Sequence, residues 1–217
     1  MIFVLFFAII KRMIITYFGK QFFKIGQGEM VLAFNPVSKN SKSGVSAHFG
    51  ADIAFSTVNH PDYNGIEQLS HGERNPFVVA GPGDYEVKEI FIKGLMLNTE
   101  IAGKRYINTA YSLMVDGINI AFLGALSEGE IPKDVREAID SPDILFVPVA
   151  GGISPKDSAK LASSLEPKVI IPMNYDNASL KVFLKEIGEE AEVVDKLTLK
   201  RKDLEGKEGE VVVLKAL

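Results

Sequence analysis

Apolar positions in the first half of the chain fall in short runs, each closed by turn chemistry, which is the signature of β-strands rather than helices. The runs are Ile14–Phe18, Phe22–Ile25, Met30–Phe34, Ile53–Thr57, Phe77–Val79, Ile90–Leu97, Tyr111–Val115 and Ile118–Leu123. Gly26-Gln27-Gly28, Asn35-Pro36 and Gly81-Pro82-Gly83-Asp84 punctuate them, and Asp116-Gly117 between two apolar runs predicts a two-residue hairpin. This half reads as a meandering sheet. The period then changes: Pro132–Ile139 and Pro155–Leu165 read as helices alternating with the buried-type strands Ile144–Val149 and Val169–Pro172. Strand-helix-strand order predicts parallel pairing there.

Helix boundaries are written plainly in two places. Ser154 is placed to cap the second helix, Pro155 is pre-set for its first position, and Asp157 lies near the positive end of the dipole. In a third helix, Ala178–Ile187, residues Leu180, Phe183, Leu184 and Ile187 recur at spacings of three and four, so that face should lie against a sheet, and Gly188 ends it. The tail returns to strands at Val193–Val194, Leu197–Leu199 and Val211–Leu214, separated by the charged turn Arg201–Glu210. There is no internal repeat and no linker rich in Pro, Gly or Ser.

Composition narrows the function classes. Lys and Arg total 24 against 28 for Asp and Glu, and a net charge of −4 offers no general attraction for nucleic acid or an anionic membrane. The absence of cysteine removes disulfides, thiolate metal sites and a cysteine nucleophile together, and fits the cytoplasm. Met1–Ile10 is apolar throughout, yet about half the ~20 residues a transmembrane helix needs. It also lacks the leading positive charge and cleavage site of a secretory signal. Residues 1–12 are expected to be an upstream start or a loosely packed extension, and 13–217 a single domain.

The loop Ser56–Gly65, after the apolar run Ala51–Phe55, has the form of a metal-binding loop with half its ligands replaced. A strand end reading His-x-His-x-Asp-His would gather imidazoles and a carboxylate around divalent metal, whereas here the four positions are Val58, His60, Asp62 and Tyr63. Other local motifs accompany it: Ile15-Thr16-Tyr17-Phe18-Gly19-Lys20, Gly50-Ala51-Asp52, Gly81–Val87, Phe122-Leu123-Gly124-Ala125-Leu126 and Glu166–Tyr175. In this order the chain resembles the metallo-β-lactamase fold, and within it the zinc-dependent hydrolases of the ascorbate-phosphate lactonase type. The resemblance implies a four-layer αββα sandwich whose strand-end loops hold one or two zinc ions, with a metal-bound water attacking an ester, lactone, amide or phosphodiester.

The resemblance also implies where ligands are missing. Val58 and Tyr63 stand at histidine positions, Ala125 at the bridging aspartate, and Asn174 at the late histidine, while Lys20 and Asn35 stand where active relatives often carry His and Asp. His60 and Asp62 remain as candidate metal ligands, with Asp62 the catalytic candidate if the chain is active. Lys20, Asn35, Tyr63, Asp84, Glu86, Ala125 and Asn174 are expected to line the pocket. His48 and His71 read as loop residues outside the site. Two protein ligands fall short of the three or four of a zinc site, so no cofactor is expected, and His60 with Asp62 reads as an inherited, hydrogen-bonded scaffold in which the carboxylate orients the imidazole or accepts backbone amides.

The chain is accordingly expected to be a binding or structural module without dinuclear zinc hydrolysis, holding a small anionic molecule near Lys20, Tyr63 and Asn174. An alternative is a hydrolase using zinc or another divalent metal on His60 and Asp62, helped by Asp84, Glu86 or Asn174. A third reading is a self-associating scaffold that docks through Met1–Ile10 on a partner or membrane surface.

Overall fold

Burial alternates along the first strand, with Met13, Ile15 and Tyr17 inside while Ile14 is exposed, and this period of two recurs through a β-rich molecule. The computed structural model describes residues 12–217 apart from 73, 74, 140 and 192. The elements are β1 (Met13–Gly19), β2 (Phe22–Gln27), β3 (Met30–Phe34), β4 (Ile53–Phe55), β5 (Phe77–Val79), β6 (Gly83–Val87), β7 (Ile90–Ile101), β8 (Lys104–Val115) and β9 (Ile118–Phe122). They continue as α1 (Lys133–Ile139), β10 (Ile144–Pro148), α2 (Pro155–Ser164), β11 (Val169–Met173), α3 (Asn177–Ile187), β12 (Val193–Val194), β13 (Lys196–Leu199), β14 (Glu210–Val211) and β15 (Val213–Leu214).

Two sheets face each other. The first has the order β13-β1-β2-β3-β4-β5 and the second β14-β11-β10-β9-β8-β7-β6, with β12 and β15 paired separately. The expected single meander is therefore corrected. The chain changes sheets after β5, and the β3–β4 and β4–β5 pairs are parallel because long loops carry the chain back each time. The expected parallel pairing of β10 and β11 is present, and β9, read as part of the meander, also pairs parallel with β10.

Aromatic rings zip the sheets together: Phe23 meets Phe146 at 4.9 Å, Phe34 stacks on Phe122 at 4.8 Å, and Phe55 meets Tyr111 edge-on at 5.2 Å. All of these rings belong to one buried cluster drawn from both sheets. A second cluster joins the other face of β9, β10 and β11 to Val135 and Ile139 of α1, to Ala159, Leu161 and Ala162 of α2, and to Phe183 of α3. The third helix thus packs as its apolar stripe predicts. The outer face of the first sheet buries Phe22, Ala33 and Ala54 under Val37, Leu69 and the partly buried Val45, Phe49 and Ile66, which come from coil and a 3-10 turn at Ile66–Gln68. The result is an αββα sandwich with unequal outer layers.

Met1–Ile10 lies outside the described residues. Among those described, no helix is long and apolar enough to cross a membrane.

Candidate functional site

Parallel strands put their carboxyl-terminal loops at one edge, where open α/β sheets commonly bind ligands. Here Asn35 follows β3, Thr57 and Val58 follow β4, Gly124 and Ala125 follow β9, Ala150–Gly152 follow β10, and Asn174 follows β11. Hydrogen bonds stitch these loops across the sheets. Thr109 N–H donates to Thr57 O at 2.8 Å, and Asn174 N–H donates to Lys20 O at 2.6 Å. Asn108 takes Ala125 N–H on Oδ1 at 3.1 Å and donates from Nδ2 to Leu123 O at 2.9 Å. Gly124 has φ +68, and a Cβ there would lie 2.2 Å from Asn108 Oδ1 and 2.8 Å from Thr57 Cβ, so only glycine lets the β9 loop come this close.

Three of the replaced ligand positions converge. Val58, Tyr63 and Ala125 form a buried apolar cluster of their own, with Ile101 and Tyr106 packed against it. His60 borders the cluster, its ring 5.9 Å from that of Tyr63 and edge-on to Tyr106 at 5.7 Å. Burial, and then the charge of Asp62, push the Tyr63 phenol up to about 12, so it stays protonated at neutral pH.

The surviving candidates are engaged otherwise. Asp62 N–H donates to His60 Nδ1 at 3.2 Å. A neutral imidazole accepting on Nδ1 carries its proton on Nε2, so neither nitrogen offers a lone pair to a metal in this arrangement. The Asp62 carboxylate accepts from Ser41 Oγ at 2.5 Å on Oδ1 and faces Lys20 Nζ at 3.6 Å on Oδ2. It is the backbone of Asp62 that orients His60, and the carboxylate bonds elsewhere.

Asn35 and Asn174 act as braces. Asn35 is fully buried with φ 47. Its Oδ1 accepts from Thr57 N–H at 2.8 Å, and its Nδ2 donates to Thr57 Oγ1 at 2.9 Å and to Gln21 Oε1 at 3.0 Å. That fixes the Gln21 amide with its oxygen toward Asn35 and leaves Gln21 Nε2, also buried, without a partner. Asn174 donates from Nδ2 to Ala150 O at 2.7 Å, and Lys20 O also accepts from Tyr17 OH at 2.8 Å. Burial raises the Tyr17 phenol well above its ordinary value.

Asp84 and Glu86 are elsewhere, contrary to expectation. They are exposed on edge strand β6, where Asp84 lies opposite Lys93 and Glu86 opposite Phe91 of β7. His48 and His71 are exposed. The residues sequence reasoning missed are Gln21, Ser41, Thr57, Ile101, Tyr106 and Asn108. Tyr106 and Asn108 fall in a stretch too polar to read as strand, and the others carry no local signal. A cavity of about 680 Å³ is lined by Glu166, Lys168, Ile187, Glu189 and Lys207. It lies at the amino-terminal ends of β11 and β14, away from this edge.

A zinc centre needs three or four protein ligands. Among the described residues, no group of three or more His, Asp or Glu side chains could hold a metal ion. The residues at this edge do not fit the metal that the fold family implies.

Fold and edge define the class: an αββα sandwich of the metallo-hydrolase type with its strand-end loops gathered. The β-lactamase superfamily domain matches residues 14–174, and the chain belongs to that family, the metallo-β-lactamase superfamily. Among solved structures it is similar to a protein from Thermotoga maritima assigned to the Zn-dependent hydrolases of that superfamily, with 28% identity, TM-score 0.74, and 93% of this chain and 98% of that one covered. A protein from Parabacteroides distasonis assigned as a metal-dependent hydrolase shares the fold at 16% identity and TM-score 0.66, covering 94% of each chain. So does the metallo hydrolase Igni18 from Ignicoccus hospitalis, at 14% identity and TM-score 0.61, covering 94% and 96%. No curated protein matches the chain.

Proposed function

We propose that this chain is a member of the superfamily that does not perform dinuclear zinc hydrolysis and serves as a binding module for a small anionic molecule at the strand-end edge. The observation that carries this reading is the packing of Val58, Tyr63 and Ala125 into one apolar cluster. Two replacements in the β4 loop and a third in the β9 loop, far away in sequence, meet at one place and pack against one another. An isolated missing ligand would leave a gap, whereas these side chains cover one another and exclude water. The bonds of His60 and Asp62 to the loop support the same reading. Lys20 supplies positive charge beside Asp62, the role a metal ion would otherwise fill.

The reading is tested by offering zinc, manganese and iron to the purified protein in a calorimeter, and by assaying chromogenic ester, lactone and phosphodiester substrates with each metal. No saturable metal binding and no hydrolysis above background are expected. Metal-dependent turnover abolished by His60→Ala would replace this reading with a mononuclear hydrolase built on His60 and Asp62.

A further inference from the structure

The β7–β8 ribbon runs on past its neighbours in the sheet: Leu97 and Ala110 at its root still belong to the helix-side core, and the tip beyond them does not. Pairing of β6 with β7 reaches only to Gly94, and pairing of β9 with β8 only to Tyr111. Residues Leu95–Ile101 and Lys104–Ala110 therefore pair with each other alone and form an arm. A lone two-stranded ribbon is marginally stable in water, so the position of the arm depends on what it touches.

The arm has two unlike faces. Leu97, Thr99, Asn108 and Ala110 are buried toward the body, while Met96, Asn98, Glu100, Arg105 and Ile107 are exposed on the other face. Its root is fixed by the bonds of Asn108 and Thr109 to the β9 and β4 loops. Its tip is held by less. Ile101 and Tyr106 rest on Val58, Tyr63 and Ala125, and Ser127 Oγ accepts from Glu100 N–H at 2.6 Å and lies 3.0 Å from Thr99 Oγ1.

The surface beneath the tip is apolar with ammonium groups beside it. Lys20 Nζ stands 3.6 Å from Asp62, and Lys104 Nζ lies 5.1 Å from the centre of the Tyr106 ring. We propose that the arm is a lid, and that the ligand it admits is a small anion with an apolar body, of the aryl or alkyl carboxylate or sulfonate class. The apolar body takes the place of Ile101 and Tyr106 against the cluster, and the anion is met by Lys20 and Lys104. Opening costs the burial of Ile101, Tyr106 and Thr99, the edge-on contact of Tyr106 with His60 and the two polar contacts to Ser127, which is the scale of local opening rather than global unfolding. A pocket exposed only in the open state is filled by a ligand that binds that state preferentially. The inference rests on the binding-module reading of the same edge.

The chain contains no cysteine, so Thr99→Cys with Ser127→Cys places a single disulfide between side chains already in contact, locking the tip down. The probe is anilinonaphthalene sulfonate, an aryl sulfonate that fluoresces when bound to apolar surface, titrated into the natively folded protein. Saturable binding is expected for the wild type and the reduced double variant, with loss on oxidation and return on reduction. Lys20→Met should weaken binding roughly tenfold, a change of about 1.4 kcal/mol, while Lys185→Met, exposed in the last turn of α3 at the opposite end of the strands, should not. Equal binding by the oxidised and reduced forms, or no saturable binding by the wild type, overturns the proposal. Metal stoichiometry of the wild type is read separately, so failure of the lid and failure of the metal-free reading are told apart.

Discussion

Ala125 separates the two readings of the site at the level of one side chain. It is 3% exposed and packed against Val58 and Tyr63. Ala125→Asp would restore the carboxylate the resemblance implies, but without a metal an ionised group there has no partner and costs several kcal/mol. The denaturation midpoint of this variant should fall, and adding zinc should not restore it. Recovery with zinc would mean that the edge still coordinates metal. Asn35 makes a different point. It stands where active relatives often carry aspartate, yet its side chain satisfies Thr57 N–H, Thr57 Oγ1 and Gln21 Oε1 at once. Asn35→Ala removes all three bonds from a fully buried site and is expected to cost about 2–4 kcal/mol in urea unfolding.

Among the elements, those with strong local chemistry were legible before the structure. Ser154 accepts from Asp157 N–H as an N-cap should. The Asp116-Gly117 turn has φ 51 and 72, both in the left-handed region a type I′ hairpin requires. α3 begins one residue earlier than its apolar period indicates, because Asp176 caps it through a reciprocal bond with Ser179. Asp176→Ala should cost about 1 kcal/mol, read from thermal or urea unfolding. The failures have physical causes. β6 reads as a turn because Gly-Pro-Gly-Asp is turn chemistry, and an edge strand tolerates it since one side of its backbone needs no partner. In the sequence the strand reads only to Leu97, because the exposed face of the arm mixes polar and apolar residues and its reverse turn is Ala102-Gly103, with φ 50 and 77. Parallel pairing of β3, β4 and β5 left no trace because coil, rather than helix, makes the crossovers.

At the scale of the molecule the αββα arrangement followed from the resemblance, and the convergence of Val58, Tyr63 and Ala125 with it. That these side chains would pack as a cluster roofed by Ile101 and Tyr106 did not, because it depends on an arm contact distant in sequence. The buried tyrosines make the whole fold sensitive to alkali. Burial raises the phenols of Tyr63 and Tyr111 from 10.0 to about 12, and that of Tyr17 further. A phenol whose folded value is raised contributes nothing adverse below pH 10. Between pH 10 and about 12 the unfolded chain ionises while the folded one stays neutral, so stability is lost as pH rises through that window. Each shift of this size corresponds to at most roughly 3 kcal/mol. Tyr63→Phe should shrink the loss of stability over that window relative to wild type, as followed by urea midpoints at stepped pH. An equal loss in both proteins would mean that Tyr63 ionises freely.

Metal content decides most directly whether this member of the superfamily has given up its ancestral chemistry. Tag-free protein, expressed in medium supplemented with zinc, manganese and iron and purified without chelator, would be analysed by mass spectrometry of the elements alongside His60→Ala. Substoichiometric metal, equal in the two proteins, is the predicted result. One or more ions per chain in the wild type, lost on His60→Ala, would contradict it.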